Sequence, residues 1–150
     1  MVFYSEGGQY WHTFKPILES LHKKGIEAIY LTSSEDDDGL NFKSNHIGTR
    51  YIGSGTRAYI YLNKLEADVC AMTTPGLDVL KIKRSKGVKH YSYLPHSPID
   101  MGKYKLYSFD GFDSIFISGI HQEKSIRMLE TLRSSHAKQI FKGGCPYMDE

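Results

Sequence analysis

Cysteine is scarce in this chain. Cys70 and Cys145 are the only two in 150 residues and form no Cys-x-x-Cys pair. That excludes a secreted disulfide framework and a cysteine zinc site, and Cys70, inside an apolar strand-like run, points to a reducing compartment. No stretch approaches the roughly 18 continuous apolar residues needed to cross a bilayer, and there is no signal-peptide pattern. A cytoplasmic location is expected. Charge of one sign is lacking too: 19 Lys and Arg against 17 Asp and Glu give a net +2, which makes no case for nucleic acid as a partner. Metal patterns are equally thin. His12, His22, His46, His90, His121 and His136 show no ligand spacing. Asp36-Asp37-Asp38-Gly39 has neither the spacing nor the distal glutamate of a calcium hand, and reads as a solvated loop.

What is present is an alternation of strand and helix signals from end to end, without repeats or low-complexity segments. With 40% apolar residues, 150 positions suit one domain, residues 1–150, with its own core. The alternation predicts an α/β fold, Rossmann-like and doubly wound, with a mostly parallel sheet of about seven strands. Expected strands are 2–5, 26–32, 50–52, 68–72, 88–94, 114–117 and 139–141. Val2-Phe3-Tyr4 reads as a core strand directly after Met1, so either the domain begins abruptly or sequence precedes it. Helices are expected over 13–24, with Pro16 in the first turn and Gly25 as the stop, after Gly53-Ser54-Gly55, from Thr74 to about Ser85, and from Ser118-Gly119 to about Arg133. Residues 97–111 read as a long loop.

In a parallel sheet every strand-to-helix loop leaves from the carboxyl edge, where open α/β sheets bind ligands. Gly7-Gly8-Gln9, Thr73-Thr74-Pro75-Gly76, Pro95-His96-Ser97 and Ser118-Gly119 should therefore share one edge. Their hydroxyls, glycines and helix N-termini offer donors to a phosphate or sugar. His96 stands out because Pro95 and Pro98 stiffen its loop, and a stiff loop can aim a base. Candidate binding residues are Gly7, Gly8, Gln9, Thr74, Gly76, Ser97, Ser118 and Gly119.

Several of these features have a second reading. Thr74 and Pro75 equally fit a helix cap and first helical position. Gly53-Ser54-Gly55 completes no dinucleotide fingerprint. Tyr10-Trp11 could stack on a sugar, with packing beneath the first helix the stronger reading. Lys81, Lys83, Arg84, Lys86 and Lys89 read as a solvated helix end or as a patch for anionic lipid or a polyanionic acceptor.

The series Phe3-Tyr4-Ser5-Glu6 with Trp11, Phe14-Lys15-Pro16, Thr73-Thr74-Pro75-Gly76-Leu77, Leu94-Pro95-His96-Ser97, Phe116-Ile117-Ser118-Gly119 and Gly144-Cys145-Pro146-Tyr147-Met148-Asp149 resembles the CDP-glycerol glycerophosphotransferase family. These enzymes make teichoic-acid-like and capsular poly(glycerol phosphate) in bacteria. The resemblance implies the N-terminal, acceptor-side half of a GT-B enzyme, with the donor-nucleotide half expected after Glu150. It implies His96 as the catalytic histidine, although the family's usual Trp-His-Gly-Thr is replaced here by a proline-flanked loop. It also implies CDP-glycerol as donor substrate, no tightly bound cofactor, a polyol-phosphate or glycan-lipid acceptor, and peripheral attachment at the inner face of the plasma membrane. Two alternatives stay open: a GT-B glycosyltransferase or epimerase using a UDP-sugar, and a non-catalytic domain that binds acceptor or membrane.

Overall fold

The computed structural model describes residues 1–98, 100–144 and 146. Most of the terminal Gly-Cys-Pro-Tyr-Met-Asp motif, Cys145 included, lies outside the described residues. Seven strands form one sheet among the described residues: β1 (Val2–Ser5), β2 (Ala28–Thr32), β3 (Ile47–Tyr51), β4 (Ala67–Met72), β5 (Val88–Tyr93), β6 (Ser114–Ile117) and β7 (Gln139–Lys142). All pairings are parallel and the order is β3-β2-β1-β4-β5-β6-β7. The fold is Rossmann-like and doubly wound. From β1 the chain builds outward to β3, then returns to place β4 on the other side of β1, so the order reverses between β1 and β4. Ligands of open α/β sheets bind outside such a reversal.

Period-2 alternation divides the strand residues between two cores. Val2, Tyr4, Leu31, Cys70, Met72, Tyr91 and Tyr93 face one side, where they pack with Ala58 and Leu62 of α2 (Thr56–Asn63) and Ile126 and Leu129 of α3 (Ile120–Arg133). Phe3, Tyr30 and Ala71 face the other, against Phe14 and Leu18 of α1 (Trp11–Lys23). Near-continuous burial of β1 and of the second halves of β4 and β5 is what a sheet covered on both faces requires. Among the described residues no helix is long and apolar enough to cross a membrane.

Three local expectations are corrected. α1 starts at Trp11, after a single 3-10 turn over Gly8–Tyr10, so Pro16 falls in the second turn and removes the bond to the carbonyl of exposed His12. Asp37 is not solvated: it is 2% exposed, accepts from the Tyr30 hydroxyl at 2.9 Å, and caps the 3-10 turn Asp38–Asn41 by accepting from the Gly39 N–H at 2.8 Å.

The third correction matters most for the site. No helix forms between Thr74 and Ser85. Gly76 and Asp78 take left-handed φ values of +80° and +65°. The Gly76 N–H donates to the Ser108 carbonyl at 2.7 Å, and the Asp78 N–H to the Ile82 carbonyl at 2.8 Å. These tertiary partners replace a helical ladder, and Leu77 and Ile82 become the buried anchors of an irregular segment. Arg84 fixes the end of this segment. It donates to the Gly111 carbonyl at 2.6 Å and to Asp113 at 3.0 Å while lying 4.9 Å from the Tyr91 ring centre.

Candidate functional site at the carboxyl edge

β1, β4 and β5 are adjacent, so the loops that follow them meet at one edge. The β1 loop contributes Glu6 through Tyr10, the β4 loop Thr73 through Gly76, and the β5 loop Pro95, His96 and Ser97. Leu94 donates its N–H to the Met72 carbonyl at 2.9 Å, which extends the β4–β5 pairing to the threshold of the histidine loop. Pro95 is buried and Pro98 exposed, so the stiffened loop has one proline anchored in the protein.

His96 is half-buried. Its ring meets the Tyr10 ring edge-on, with centres 4.9 Å apart and planes at 60°. Its Nδ1 is buried and has no hydrogen-bond partner. Burial holds the imidazole pKa below its ordinary value of 6.5, and contact with the Thr73 backbone opposes this in part. The ring is consequently neutral near pH 7, the state a base requires.

Buried polar side chains are normally paired, so the exceptions carry information. Among the described residues the unpartnered buried side-chain atoms are Thr73 Oγ1, Thr74 Oγ1, His96 Nδ1 and Glu123 Oε2. All four belong to loops or helix starts leaving the carboxyl ends of β4, β5 and β6, three neighbouring strands. Glu123 lies 3.4 Å from Lys142 Nζ, which offsets its charge without closing a hydrogen bond. The two threonine hydroxyls have no such compensation, and the imidazole has only its contact with the Thr73 backbone. Thr73 and Thr74 are consecutive, and His96 is on the neighbouring loop.

Beside them a crevice of about 410 Å³ opens at the β1/β4 reversal, lined by Glu6, Tyr59, Thr74, Pro75, Gly76, Leu80, Lys81 and Ile82. With no helix following, Thr74 caps nothing; the residue lines this crevice while its hydroxyl oxygen is buried. A larger cavity of about 740 Å³ lies between the β1–β3 half of the sheet and α2, but none of the unpartnered polar atoms is among its lining residues.

The remaining candidates divide by what already occupies them. Gly7 and Gly8 shape the turn: Ser5 Oγ donates to the Gly7 carbonyl at 2.7 Å, and a β-carbon on Gly8 would lie 3.2 Å from Asp37 Cα. Gln9 is exposed, with its amide folded back over Gly7. Ser97 adjoins His96 and is half-buried. The Ser118 N–H and hydroxyl both donate to Gln122 Oε1, at 2.7 and 3.0 Å, and Gly119 is the N-cap of α3. Trp11 packs in the core against Tyr30 and Phe42, with ring centres 5.2 and 5.7 Å apart.

The basic run divides: Lys83, Arg84 and Lys86 border one hollow together with Lys64, and Lys81 and Lys89 lie apart from it. Lys81 lines the crevice, Arg84 is tied to Asp113, Lys83 donates to the Asp78 carbonyl at 3.2 Å, and Lys89 pairs with Asp68 at 2.6 Å near the amino ends of β4 and β5. Lys86 is exposed. Among the described residues no group of three or more His, Cys, Asp or Glu is placed to hold a metal.

The sequence singles out His96 and Thr74 as candidates, gives no role to Glu6 or Tyr59, and does not place Lys81 at the crevice. Glu6 stands in the sequence only as the end of Phe3-Tyr4-Ser5-Glu6, and Lys81 falls in a segment read there as a helix that does not form. No protein-family model, curated protein or solved structure matches this chain.

Proposed function

We propose that this chain is the acceptor-side half of a transferase that moves glycerol phosphate from CDP-glycerol to an acceptor hydroxyl, with release of CMP. The observation that carries the reading is that Thr73, Thr74 and His96 hold unpartnered buried atoms on the neighbouring loops after β4 and β5, with Thr74 lining the crevice at the sheet's reversal point. Unpaired buried polar groups cost stability, and a ligand that pairs them recovers it. The family resemblance supplies the donor, the acceptor class and attachment to the inner membrane face.

In this mechanism neutral His96 takes the proton of the acceptor hydroxyl as its oxygen attacks the β-phosphorus of CDP-glycerol. The new O–P bond forms as the bond from the β-phosphorus to the bridging oxygen breaks, and CMP leaves with that electron pair. General-base assistance of this kind is worth roughly 10²- to 10⁴-fold. The low pKa of His96 keeps the base free at neutral pH.

The test is CMP release from CDP-glycerol by the enzyme that joins this chain to a donor-binding half. His96→Ala should slow release by at least about 10²-fold with an unchanged unfolding transition. Turnover at the unsubstituted rate would remove His96 from the chemistry. Turnover of UDP-sugars in place of CDP-glycerol would replace the donor.

A further inference from the structure

On the face of the sheet that α1 covers lies a pocket that the proposed chemistry does not use. Strand alternation and register set Val69 and Ala71 of β4 beside His90 and Ser92 of β5, and Ser92 beside Ser114 of β6. α2 and α3 pack on the opposite face, so among the described residues no helix lies over β5, β6 and β7 on this one. Parallel sheets are normally covered on both faces. Here the space is a concave pocket of about 410 Å³. Ile17 and Leu21 of α1 form its wall on the β1 side. The Phe116–Phe141 pair forms the wall on the β6–β7 side, with ring centres 5.2 Å apart. Gly143 leaves room for that wall, since a β-carbon there would lie 2.8 Å from Phe116 Cδ1.

His90, Ser92 and Ser114 are the polar side chains on the floor, and they form one hydrogen-bonded chain. His90 Nε2 lies 2.8 Å from Ser114 Oγ, and Ser114 Oγ donates to Ser92 Oγ at 2.9 Å. A hydroxyl has one hydrogen to give. With Ser114 donating to Ser92, the imidazole donates through Nε2. The Ser92 hydrogen then has no acceptor, and the His90 Nδ1 lone pair no donor, among the described residues. Reversing every proton exchanges the roles of the two ends and leaves both open. A group that donates and accepts, such as a hydroxyl, can complete either end. No Asp, Glu, Lys or Arg side chain lines the pocket, so an ionic head would lose its water without gaining an opposite charge.

Size separates a small ligand from a docked helix. One turn of α-helix, about 10 to 12 Å across and 5.4 Å long, occupies roughly 420 to 610 Å³. The pocket therefore takes one turn at most, short of the two turns over which a docked helix spaces its anchors. Its volume lies within the ordinary range of small-molecule sites, about 300 to 1,000 Å³, and such sites combine apolar walls with a few polar groups.

We propose that this pocket binds a small, uncharged, apolar hydroxy compound, whose body fills the space between α1 and the Phe116–Phe141 pair and whose hydroxyl joins the His90–Ser114–Ser92 chain. Thr73, Thr74 and His96 are not among its lining residues, so the inference stands apart from the proposed transferase activity.

The experiment titrates the 150-residue chain, with ¹³C-labelled Ile, Leu and Val methyls, against 4-propylphenol, propylbenzene and 4-propylbenzoate at pH 8. 4-Propylphenol should bind saturably and move the methyls of Ile17, Leu21, Val69 and Leu94. Propylbenzene lacks the hydroxyl and should bind about fivefold more weakly, the loss of one neutral hydrogen bond. 4-Propylbenzoate should bind more weakly than propylbenzene. The double variant His90→Leu, Ser92→Ala removes both open ends and should bring the phenol to the affinity of propylbenzene. Val69→Trp, at a half-buried position, should fill the pocket and abolish binding of both.

Absence of saturable 4-propylphenol binding overturns the inference, as do phenol and propylbenzene affinities within twofold of each other in the unsubstituted chain. A preference for the phenol that survives the double variant, or binding unchanged by Val69→Trp, overturns it too. Shifts of the same four methyls on concentrating the protein without ligand would put a second copy in the pocket and have the same consequence. If the phenol binds as described but CDP-glycerol is not turned over, the transferase reading fails and the pocket stands. If CDP-glycerol is turned over and the phenol does not bind, the reverse holds.

Discussion

Tyr10 meets His96 edge to face, with ring centres 4.9 Å apart, and this contact joins the loop after β1 to the loop after β5 across the end of β4. The tyrosine shields one side of the imidazole from water, and burial is the main cause of the histidine's lowered pKa. Tyr10→Ala should therefore raise the His96 pKa towards 6.5, whereas Tyr10→Phe should leave it low. Titration of the His96 ring proton by NMR measures both. An unchanged pKa in Tyr10→Ala would remove the tyrosine from control of the ring.

The same shift makes stability depend on pH. The folded chain binds the His96 proton less readily than the unfolded chain, so between the two pKa values the unfolded state carries more protons. The His96 contribution should be constant above the unfolded value of 6.5, fall as pH drops through it, and level off below the folded pKa. Urea unfolding of the protein and of His96→Gln across pH 4 to 8 isolates the effect. The variant should lose this component of the slope, and parallel curves would contradict it.

Arg84 should matter for folding more than for any surface charge. It bridges the Gly111 carbonyl and Asp113, and Asp113 also accepts from the Tyr91 N–H at 2.7 Å. Burial pushes the Asp113 pKa up, but these donors outweigh it and hold it below the usual carboxylate value. Arg84→Ala should cost about 1 to 2 kcal/mol, discounted for partial exposure. Lys89→Ala should leave stability nearly unchanged, because the pair it forms with Asp68 is exposed at the surface. Chemical denaturation of the two variants gives the comparison, and equal losses would refute it.

Gly76→Ala tests the turn beneath the crevice. A β-carbon there meets Leu80 and also sits on a backbone of φ +80°. The substitution should destabilise the protein by roughly 1 to 3 kcal/mol. Gly55→Ala, where φ is +56° but no atom lies within 4 Å of the added carbon, should cost less. Thermal unfolding of both separates backbone strain from collision.

Much of this architecture is written in local signals. The apolar run Val2-Phe3-Tyr4 and the β-favouring Tyr91–Tyr93 mark strands, and a 3.6-residue stripe of Phe14, Leu18 and Leu21 marks α1. His96 is legible because two prolines flank it at a strand exit. The segment from Thr74 to Ser85 is not, because its structure comes from partners remote in sequence: the Ser108 carbonyl for Gly76, and Gly111 and Asp113 for Arg84. One cue was available. Its buried anchors Leu77 and Ile82 are five residues apart, a spacing that puts them on different faces of a helix. Glu6 and Lys81 are remote in sequence, and only the fold brings them to one crevice.

The adjacency of β4 and β5 gives the site a built-in ruler. Neighbouring strands lie about 4.8 Å apart, and consecutive residues such as Thr73 and Thr74 about 3.8 Å. Neither spacing can stretch without breaking the sheet. The interval from the crevice to the imidazole is therefore set by the backbone ladder, while the side chains only decorate its two ends. Acceptors of different length should be sorted by whether their reactive oxygen falls on that fixed mark.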